Sequence, residues 1–299
     1  MPELPEVQTI VNGLNKKIVG LKISKVWFDW PKSIKMPVNG FKLSQKLIGK
    51  KILRIERKGK NILFFLSDDL ILLIHLKLTG HLIYGCWQYQ KKHWMPDSEI
   101  KHLSDPDNRF IHFMISFTNS KMLALSDMRK FAKIMLFDFK KINQIEDLNI
   151  LGKDPLSKDF SLTYLKNLID LVKKKKLKTN IKQFLLDQRK ISGIGNIYSD
   201  EILYASKIHP LKKVFDLNDK EIKNIYINIL KILKKAVEEG GSTVGFGDYR
   251  DLEGKKGNYA SHLLIYGKLG QKCLKCKGII KKTKIGSRSS YFCPKCQKI

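Results

Sequence analysis

The sequence has no long apolar segment, few acidic residues and only five cysteines. Its longest apolar run, residues 70–76, has the length of a β-strand and contains His75, whereas a membrane-spanning helix needs about 20 apolar residues. The N-terminus also lacks the basic region and apolar core of a secretory signal peptide. Five cysteines do not make an even set of disulfides, and four of them stand in metal-like pairs. We therefore expect no membrane segment and a reducing, cytoplasmic location.

Acidic residues are outnumbered by basic ones. The 299 residues include 57 Lys and Arg against 28 Asp and Glu, a formal net charge of +29. A field of this sign attracts polyanions, of which nucleic acid is the commonest, although a general bias towards lysine would also raise the count. Clustering favours a nucleic-acid partner at the C-terminus, because residues 266–299 contain ten basic side chains and no acidic one. The hydrophobic fraction of 43% permits folded cores.

The first six residues combine a proline at position 2 with two glutamates. Removal of Met1 would leave Pro2 with a free secondary amine, and an α-amine has a pKa near ~8. A neutral amine can attack a sugar or carbonyl carbon and form an iminium, with Glu3 and Glu6 as candidate proton-transfer groups. A stiff acidic leader into a helix is the alternative. Apolar residues at helical spacing follow, so the amine would lie at the start of a packed helix.

The remaining pattern predicts an α+β fold. Residues 22–139 form short β-type runs separated by turns, which is typical of an antiparallel sandwich or barrel. Residues 84–108 interrupt this pattern, and we interpret them as an irregular surface insertion. Helical spacing begins near residue 149. We predict an N-terminal β-sandwich domain at 1–148, a helical domain at 149–265 and a C-terminal module at 266–299.

The C-terminal module has the spacing of a zinc site. Cys273 and Cys276 form one pair, Cys293 and Cys296 the other, with sixteen residues between the pairs. Four thiolates complete the tetrahedral shell of zinc and leave no position for a catalytic water, so one structural Zn²⁺ is predicted. The spacer should form a β-hairpin that carries Arg288, for which a DNA contact or a solvated charge are the alternatives.

A glycine-rich turn stands within the helical region. Gly193 and Gly195 flank Ile194, and such a turn allows backbone N–H groups to approach an anion closely. By itself this pattern is weak support for phosphate binding.

Together the N-terminal Pro-Glu, the glycine turn and the basic finger resemble the formamidopyrimidine-DNA glycosylase family of base-excision repair. The opening Met-Pro-Glu-Leu-Pro-Glu-Val is similar to that family's start, and Leu4 stands where the sister endonuclease VIII group usually has glycine. The resemblance spans nearly the whole chain. It continues through residues 75–80, 127–131, 151–156, 186–198 and the four-cysteine finger.

The resemblance implies a set of catalytic roles. Pro2 would attack C1′ of a damaged nucleotide, displace the base and form a Schiff base with the DNA. Glu3 would be a proton donor in that step. Lys60 matches the lysine that assists β-elimination, and Arg288 matches the finger arginine linked to phosphate binding and δ-elimination. Without the resemblance, Lys60 is one of several basic residues near the start of a strand.

The resemblance also implies DNA contacts. The target base must leave the stack because C1′ is otherwise shielded, and Leu78, Arg129 and Phe131 match the three residues that fill the resulting hole. Arg129 would bind the orphaned partner base. Without the resemblance, Arg129 and Phe131 are a turn arginine and a core aromatic residue. Asn196 matches an asparagine of the helix–two-turn–helix element that contacts phosphates.

Several positions depart from the family pattern. Leu78 stands where methionine is usual, so an apolar wedge remains. The first member of a DNA-binding histidine pair falls on Phe110, which leaves His112 as a DNA contact or a structural residue. A position that is basic in the family corresponds to Leu177 here, and we assign the phosphate contact of that position to the neighbouring Lys178. Ser242 begins a segment similar to the one that caps the extruded base, but the residues after position 244 diverge.

The function implied is a bifunctional glycosylase and abasic-site lyase that removes oxidised purines, such as 8-oxoguanine and formamidopyrimidines, from duplex DNA as a monomer. The alternatives are an endonuclease VIII-like specificity for oxidised pyrimidines and a zinc-finger DNA-binding protein without catalysis. Leu4 argues against the first alternative. Pro2, Glu3 and Lys60 argue against the second, because binding alone requires none of them.

Overall fold

The computed structural model describes residues 1–91, 93–97, 101–244 and 249–299. The chain divides into two compact units. The first contains Met1–Asn149 and Glu239–Ala260, and the second contains Ile150–Glu238 and Ser261–Ile299. This division differs from the predicted domains in two respects. Residues 239–260, expected in the helical domain, pack with the N-terminal unit, and the finger packs with the helices.

The first unit opens with helix α1, Leu4–Lys17. Pro5 stands in its first turn, where a missing N–H costs nothing, and Glu6 closes that turn by accepting a hydrogen bond from the backbone N–H of Glu3 at 2.7 Å. Its apolar residues recur at helical spacing and are buried between the helix and the sheets. The predicted packed helix is therefore confirmed.

Two sheets form the body of the first unit. Their strands are β1 Ile23–Phe28, β2 Ile34–Met36, β3 Ile52–Lys58, β4 Asn61–Leu66, β5 Leu70–His75, β6 His81–Gly85, β9 Ile111–Phe117, β10 Met122–Ser126 and β11 Lys133–Asp138. One sheet has the strand order β1-β9-β10-β6 and the other β2-β11-β5-β4-β3, and all pairings are antiparallel except that of β2 with β11. Phe64 and Ile74 of one sheet share a core with Phe113 and Leu125 of the other, so the predicted sandwich is confirmed. Two short helices, α2 Gly40–Leu47 and α3 Glu146–Asn149, complete the unit.

The insertion at 84–108 is more ordered than expected. Strands β7, Trp87–Gln90, and β8, His93–Pro96, form an antiparallel hairpin. The ring of Trp94 packs edge-on against Trp27 of β1, with 5.4 Å between centroids. Two 3₁₀ turns follow, Lys101–Ser104 and Pro106–Arg109. Residues 92 and 98–100 of the insertion lie outside the described residues.

The second unit is helical and ends in the finger. Its helices are α4 Leu162–Lys174, α5 Ile181–Leu186, α6 Asn196–Ser206 and α7 Asp219–Glu238. The predicted finger hairpin is present as strands β12, Lys281–Ile285, and β13, Arg288–Phe292. Over the parts of the chain that the structure describes, no helix has the length and apolarity needed to cross a bilayer.

Candidate active site and DNA-binding surface

The N-terminus is held in place by Glu6. Pro2 is buried, and Glu3 and Glu6 are 2% and 1% exposed. One carboxylate oxygen of Glu6 accepts from the N–H of Glu3 at 2.7 Å, and the other accepts from the N–H of Ser242 at 2.8 Å. Glu6 therefore joins the residues around the candidate nucleophile to the segment that begins at Ser242. The structure thus gives Glu6 a positioning role, and Glu3 as the proton donor stays a prediction.

Lys60 is the buried member of a basic stretch. It follows Gly59, whose positive φ of 60° makes the turn from β3 to β4. Its side chain is only 6% exposed, whereas Lys58 is exposed. Burial of an ammonium group is costly unless the site uses or compensates it. The structure thus distinguishes the buried Lys60 from the exposed Lys58, and the role of Lys60 in β-elimination stays a prediction.

His75 at the end of β5 is held neutral near this lysine. Burial, followed by the positive charges of Lys77 and Lys60, lowers the pKa of His75 from 6.5 to about 3. Its Nδ1 accepts a hydrogen bond from the backbone N–H of Lys77 at 2.9 Å, which also requires that nitrogen to be unprotonated. His75 is therefore a neutral acceptor at physiological pH.

A pH dependence of stability follows for His75. Between pH 6.5 and about 3 the unfolded chain binds a proton at this histidine that the folded chain does not, so the free energy of unfolding should decrease as the pH falls. The contribution is at most about 1.4 kcal/mol per pH unit. Urea unfolding at pH 7, 5.5 and 4.5 should show a shallower acid loss for His75→Gln than for the wild type. Parallel curves would contradict the assignment.

A cavity of about 510 Å³ opens beside the N-terminus. Two predicted void-filling residues, Leu78 and Phe131, line it together with Met1. Both side chains are partly open to solvent, at 36% and 50% exposure, so they are accessible from outside the protein. The other lining residues are Trp30, Lys32, Lys35, Lys77, Lys130 and Ala132. The structure therefore brings the candidate nucleophile's neighbour, two candidate void-filling residues and four lysines to one cavity.

Arg129 belongs to the same surface. Its guanidinium lies over the ring of Phe131, with 4.7 Å to the centroid, and its backbone N–H donates to Thr79 Oγ1 at 3.1 Å. Thr79 in turn donates to the buried carboxylate of Asp127, which also accepts from the N–H of Ala132 at 2.7 Å. These bonds fix the turn that carries Arg129 and Phe131 against the turn that carries Leu78.

His112 is engaged within the protein. Its Nδ1 lies 2.8 Å from the carboxylate of Asp29, and its side chain is 15% exposed. This pairing accounts for a structural role of the histidine. A DNA contact by His112 stays a prediction.

The second unit groups three predicted phosphate contacts into two places. Asn196 begins α6, and its side-chain N–H donates to the carbonyl of Ser289 in the finger hairpin at 2.9 Å. Its buried Oδ1 has no protein partner within the described residues. Arg288, next to Ser289, is exposed at the start of strand β13, so Asn196 and Arg288 are neighbours. Lys178 is exposed in the segment between α4 and α5.

The glycine turn has the geometry that its sequence predicts. Gly193 has a φ of 92°, which disfavours other residues, and its N–H donates to the side-chain oxygen of Gln188 at 2.8 Å. The side-chain N–H of Gln188 then donates to the carbonyl of Ile194 at 2.7 Å. Gln188 therefore sets the shape of the loop that leads into Asn196.

A buried ion pair that the sequence did not reveal joins α5 to α6, and its carboxylate also binds the finger. Lys182 donates to Asp200 at 2.7 Å, and both side chains are fully buried. Asp200 also accepts from Ser290 Oγ and from the N–H of Tyr291. Burial raises the pKa of Asp200, an effect opposed by Lys182 and these donors. The pair fixes the hairpin that carries Arg288 relative to α6. No local pattern marks it, because its members are distant along the chain.

The four finger cysteines fit a zinc ion. Their sulfur atoms lie within 4.8 Å of one another, with 3.8 Å between Cys273 and Cys296 and 3.4 Å between Cys276 and Cys293. A tetrahedral Zn²⁺ with bonds of about 2.3 Å sets sulfurs about 3.8 Å apart. The predicted structural zinc site is confirmed, and Cys86 lies outside it.

These features define a class of protein in which a β-sandwich with a buried Pro-Glu terminus is combined with a helical unit and a four-cysteine finger. Profiles of three domains match the chain. Residues 1–134 match the formamidopyrimidine-DNA glycosylase N-terminal domain, residues 151–248 its H2TH domain, and residues 270–299 the zinc finger found in FPG and IleRS. The chain belongs to the formamidopyrimidine-DNA glycosylase family, and the resemblance seen in the sequence is confirmed.

Individual relatives agree over the full length. The chain is 36% identical over 300 residues to the formamidopyrimidine-DNA glycosylase of Pelotomaculum thermopropionicum, with 100% of both chains covered. It also superposes on Lactococcus lactis Fpg solved with DNA containing an abasic site, a Fapy-dG or an oxidised pyrimidine. Each of these has a TM-score of 0.83 and 31% identity, covering 99–100% of this chain and all of the other.

Proposed function

We propose that this protein is a base-excision-repair DNA glycosylase and abasic-site lyase that removes oxidised purines from duplex DNA. The observation that carries the proposal is the cavity beside the N-terminus, where Met1 meets the apolar wedges Leu78 and Phe131. The relatives named for formamidopyrimidine-DNA glycosylase activity, and the L. lactis complex with Fapy-dG DNA, support the choice of substrate.

The chemistry begins once Met1 is removed. The lone pair of the Pro2 amine attacks C1′ of the damaged nucleotide, and the C1′–N bond breaks with its electron pair leaving on the base. Glu3, buried beside Pro2, supplies a proton during this step. The amine then loses its proton, and the C1′–O4′ bond of the sugar ring breaks with its electron pair taking up a proton at O4′, which leaves an iminium between Pro2 and C1′. The iminium acidifies the sugar carbon next to C1′, so loss of a proton there expels the 3′ phosphate, assisted by Lys60. A second elimination, assisted by Arg288, expels the 5′ phosphate.

The duplex must present an extruded nucleotide for this attack. Leu78 and Phe131 occupy the vacated space in the stack, and Arg129 donates hydrogen bonds to the partner base. Lysines around the cavity, together with Asn196, Arg288, Lys178 and His112, contact phosphates and supply the salt-dependent part of binding. Repair of this kind matches a cytoplasmic protein that acts on the nucleoid, a location we propose with the activity.

The test uses duplexes that differ only at one position. Duplexes with 8-oxoguanine, a formamidopyrimidine, an oxidised pyrimidine or the undamaged base are incubated with the purified protein and borohydride. We expect a covalent adduct and strand cleavage with the two purine lesions and none with the undamaged duplex. If no lesion gives an adduct, the proposed enzymatic activity is refuted, and the alternative of a zinc-finger DNA-binding protein without catalysis is favoured.

A second specificity is favoured by one comparison, because L. lactis Fpg has been solved with oxidised-pyrimidine DNA. The same lesion panel separates the two candidates. Single-turnover excision that is faster on the oxidised pyrimidine than on both purine lesions would replace the purine specificity.

A further inference from the structure

An ion pair joins the insertion at 84–108 to a buried arginine. Arg250 is only 2% exposed, and its guanidinium lies 3.8 Å from the carboxylate of Asp105, which stands between the two 3₁₀ turns of the insertion. A buried guanidinium requires a compensating charge. Asp105 therefore supplies charge compensation to a residue that is 145 positions away in the sequence.

Arg250 also binds the backbone of the preceding residue, so its position affects that residue. Its guanidinium donates to the carbonyl of Tyr249 at 3.2 Å. The same carbonyl accepts from Thr243 Oγ1 at 2.7 Å, and Thr243 Oγ1 accepts from the N–H of Gly257 at 2.9 Å. The residue before Thr243 is Ser242, whose N–H donates to Glu6. A continuous set of bonds thus runs from Asp105 to Glu6.

Glu6 connects this network to the chemistry. Its second carboxylate oxygen holds the N–H of Glu3 at 2.7 Å, and Glu3 directly follows Pro2. The network therefore ends at the residues that the proposed reaction uses. A shift of about 1 Å in reacting groups can lower a rate about 100-fold.

A second contact holds the insertion to the same segment. The N–H of Tyr84 donates to the carbonyl of Leu252 at 2.7 Å, and Leu252 packs into helix α1 at Gly13, where a Cβ would lie 2.8 Å from its side chain. This contact depends on backbone and shape and does not involve the Asp105 charge. Neutralising Asp105 should therefore leave the segment attached while removing the attraction of this carboxylate for Arg250.

We propose that Asp105 is a positioning residue for the glycosylase step. Acting through Arg250, Tyr249, Thr243 and Glu6, it sets the placement of Glu3 and Pro2 for attack on C1′. This inference rests on the proposed function. It gives the insertion at 84–108 a role in catalysis.

The test compares Asp105→Asn with the wild type in single-turnover excision of a formamidopyrimidine. We expect the excision rate to fall on the order of tenfold, with unchanged affinity for a duplex carrying a non-cleavable abasic analogue. Asp105→Glu, which keeps the charge, should recover most of the rate. Asp97→Asn removes an exposed carboxylate from the same insertion and should match the wild type.

A double variant tests the route. If Asp105 acts through Arg250, then Asp105→Asn combined with Arg250→Met should excise no more slowly than Arg250→Met alone. Additive losses, an unchanged rate in Asp105→Asn, or a loss confined to affinity and thermal stability would each overturn the proposal.

Amide hydrogen exchange without DNA provides a readout that is independent of activity. Asp105→Asn should increase exchange at the N–H groups of Glu3 and Ser242, while Asp97→Asn should not. Unchanged exchange would refute the network even if the wild type proved inactive. An inactive wild type with increased exchange in Asp105→Asn would refute the proposed function and retain the network.

Discussion

Replacing Pro2 with glutamine is expected to abolish the borohydride-trapped adduct and to lower base excision by roughly 10³-fold or more. The substitution removes the secondary amine, and a bulky second residue should also keep Met1 on the chain. A solvated lysine is a poor replacement at neutral pH, because its pKa is near ~10.4 against ~8 for an α-amine. The adduct is measured by gel shift, and the N-terminal mass of both proteins by mass spectrometry.

Glu3→Gln is the matched control for this variant. It keeps the amine and removes the proton donor, so it should excise lesions slowly yet still form the adduct with a duplex that already contains an abasic site. Pro2→Gln should fail on both substrates. An adduct formed by protein that retains Met1 would contradict the assignment of Pro2, and Lys60 would become the first alternative nucleophile.

The parts of this protein that were predictable from sequence are those whose signal is local. Strands β4 and β5 are apolar runs bounded by turn residues, and the finger cysteines have a spacing that few other structures require. The β7–β8 hairpin was not predicted, because its polar residues conceal the alternation and its stability comes from distant partners such as Trp27. Local patterning cannot reveal a partner that lies 67 residues away, as Trp27 does from Trp94.

The same limit applies to the candidate site. The roles of the Pro2-Glu3 start and the Arg129–Phe131 turn were predicted from the family resemblance. Periodicity alone favoured purely structural roles: a stiff leader into a helix, a turn arginine and a core aromatic residue. The residues that hold these groups in place were marked neither by periodicity nor by the family resemblance. The buried pair of Lys182 with Asp200 joins charges 18 residues apart, and Asp105 and Arg250 lie still further apart. Long-range electrostatic partners become visible only when the fold brings them together.

Removal of zinc is expected to weaken binding to lesion-containing duplex by at least about 100-fold. The finger has only a small apolar core, formed by Ile265, Ile280 and two of the cysteines with Tyr204 of α6, and segments of this size rarely fold without a metal or disulfide. Structural zinc contributes about 10–16 kcal/mol to the folding of isolated finger peptides. Without it, the hairpin that carries Arg288 should lose its defined position.

Cys276→Ala tests this expectation with a close control inside the same chain. Cys276 and Cys86 are both partly exposed free thiols, but only Cys276 belongs to the four-sulfur cluster. Cys276→Ala should lose the zinc ion, measured by metal analysis, and bind the duplex weakly, measured by fluorescence anisotropy. Cys86→Ala should retain both properties. Near-normal affinity in zinc-free Cys276→Ala would mean that contacts from Asp200 and Glu201 to the finger and its entry segment suffice to position Arg288.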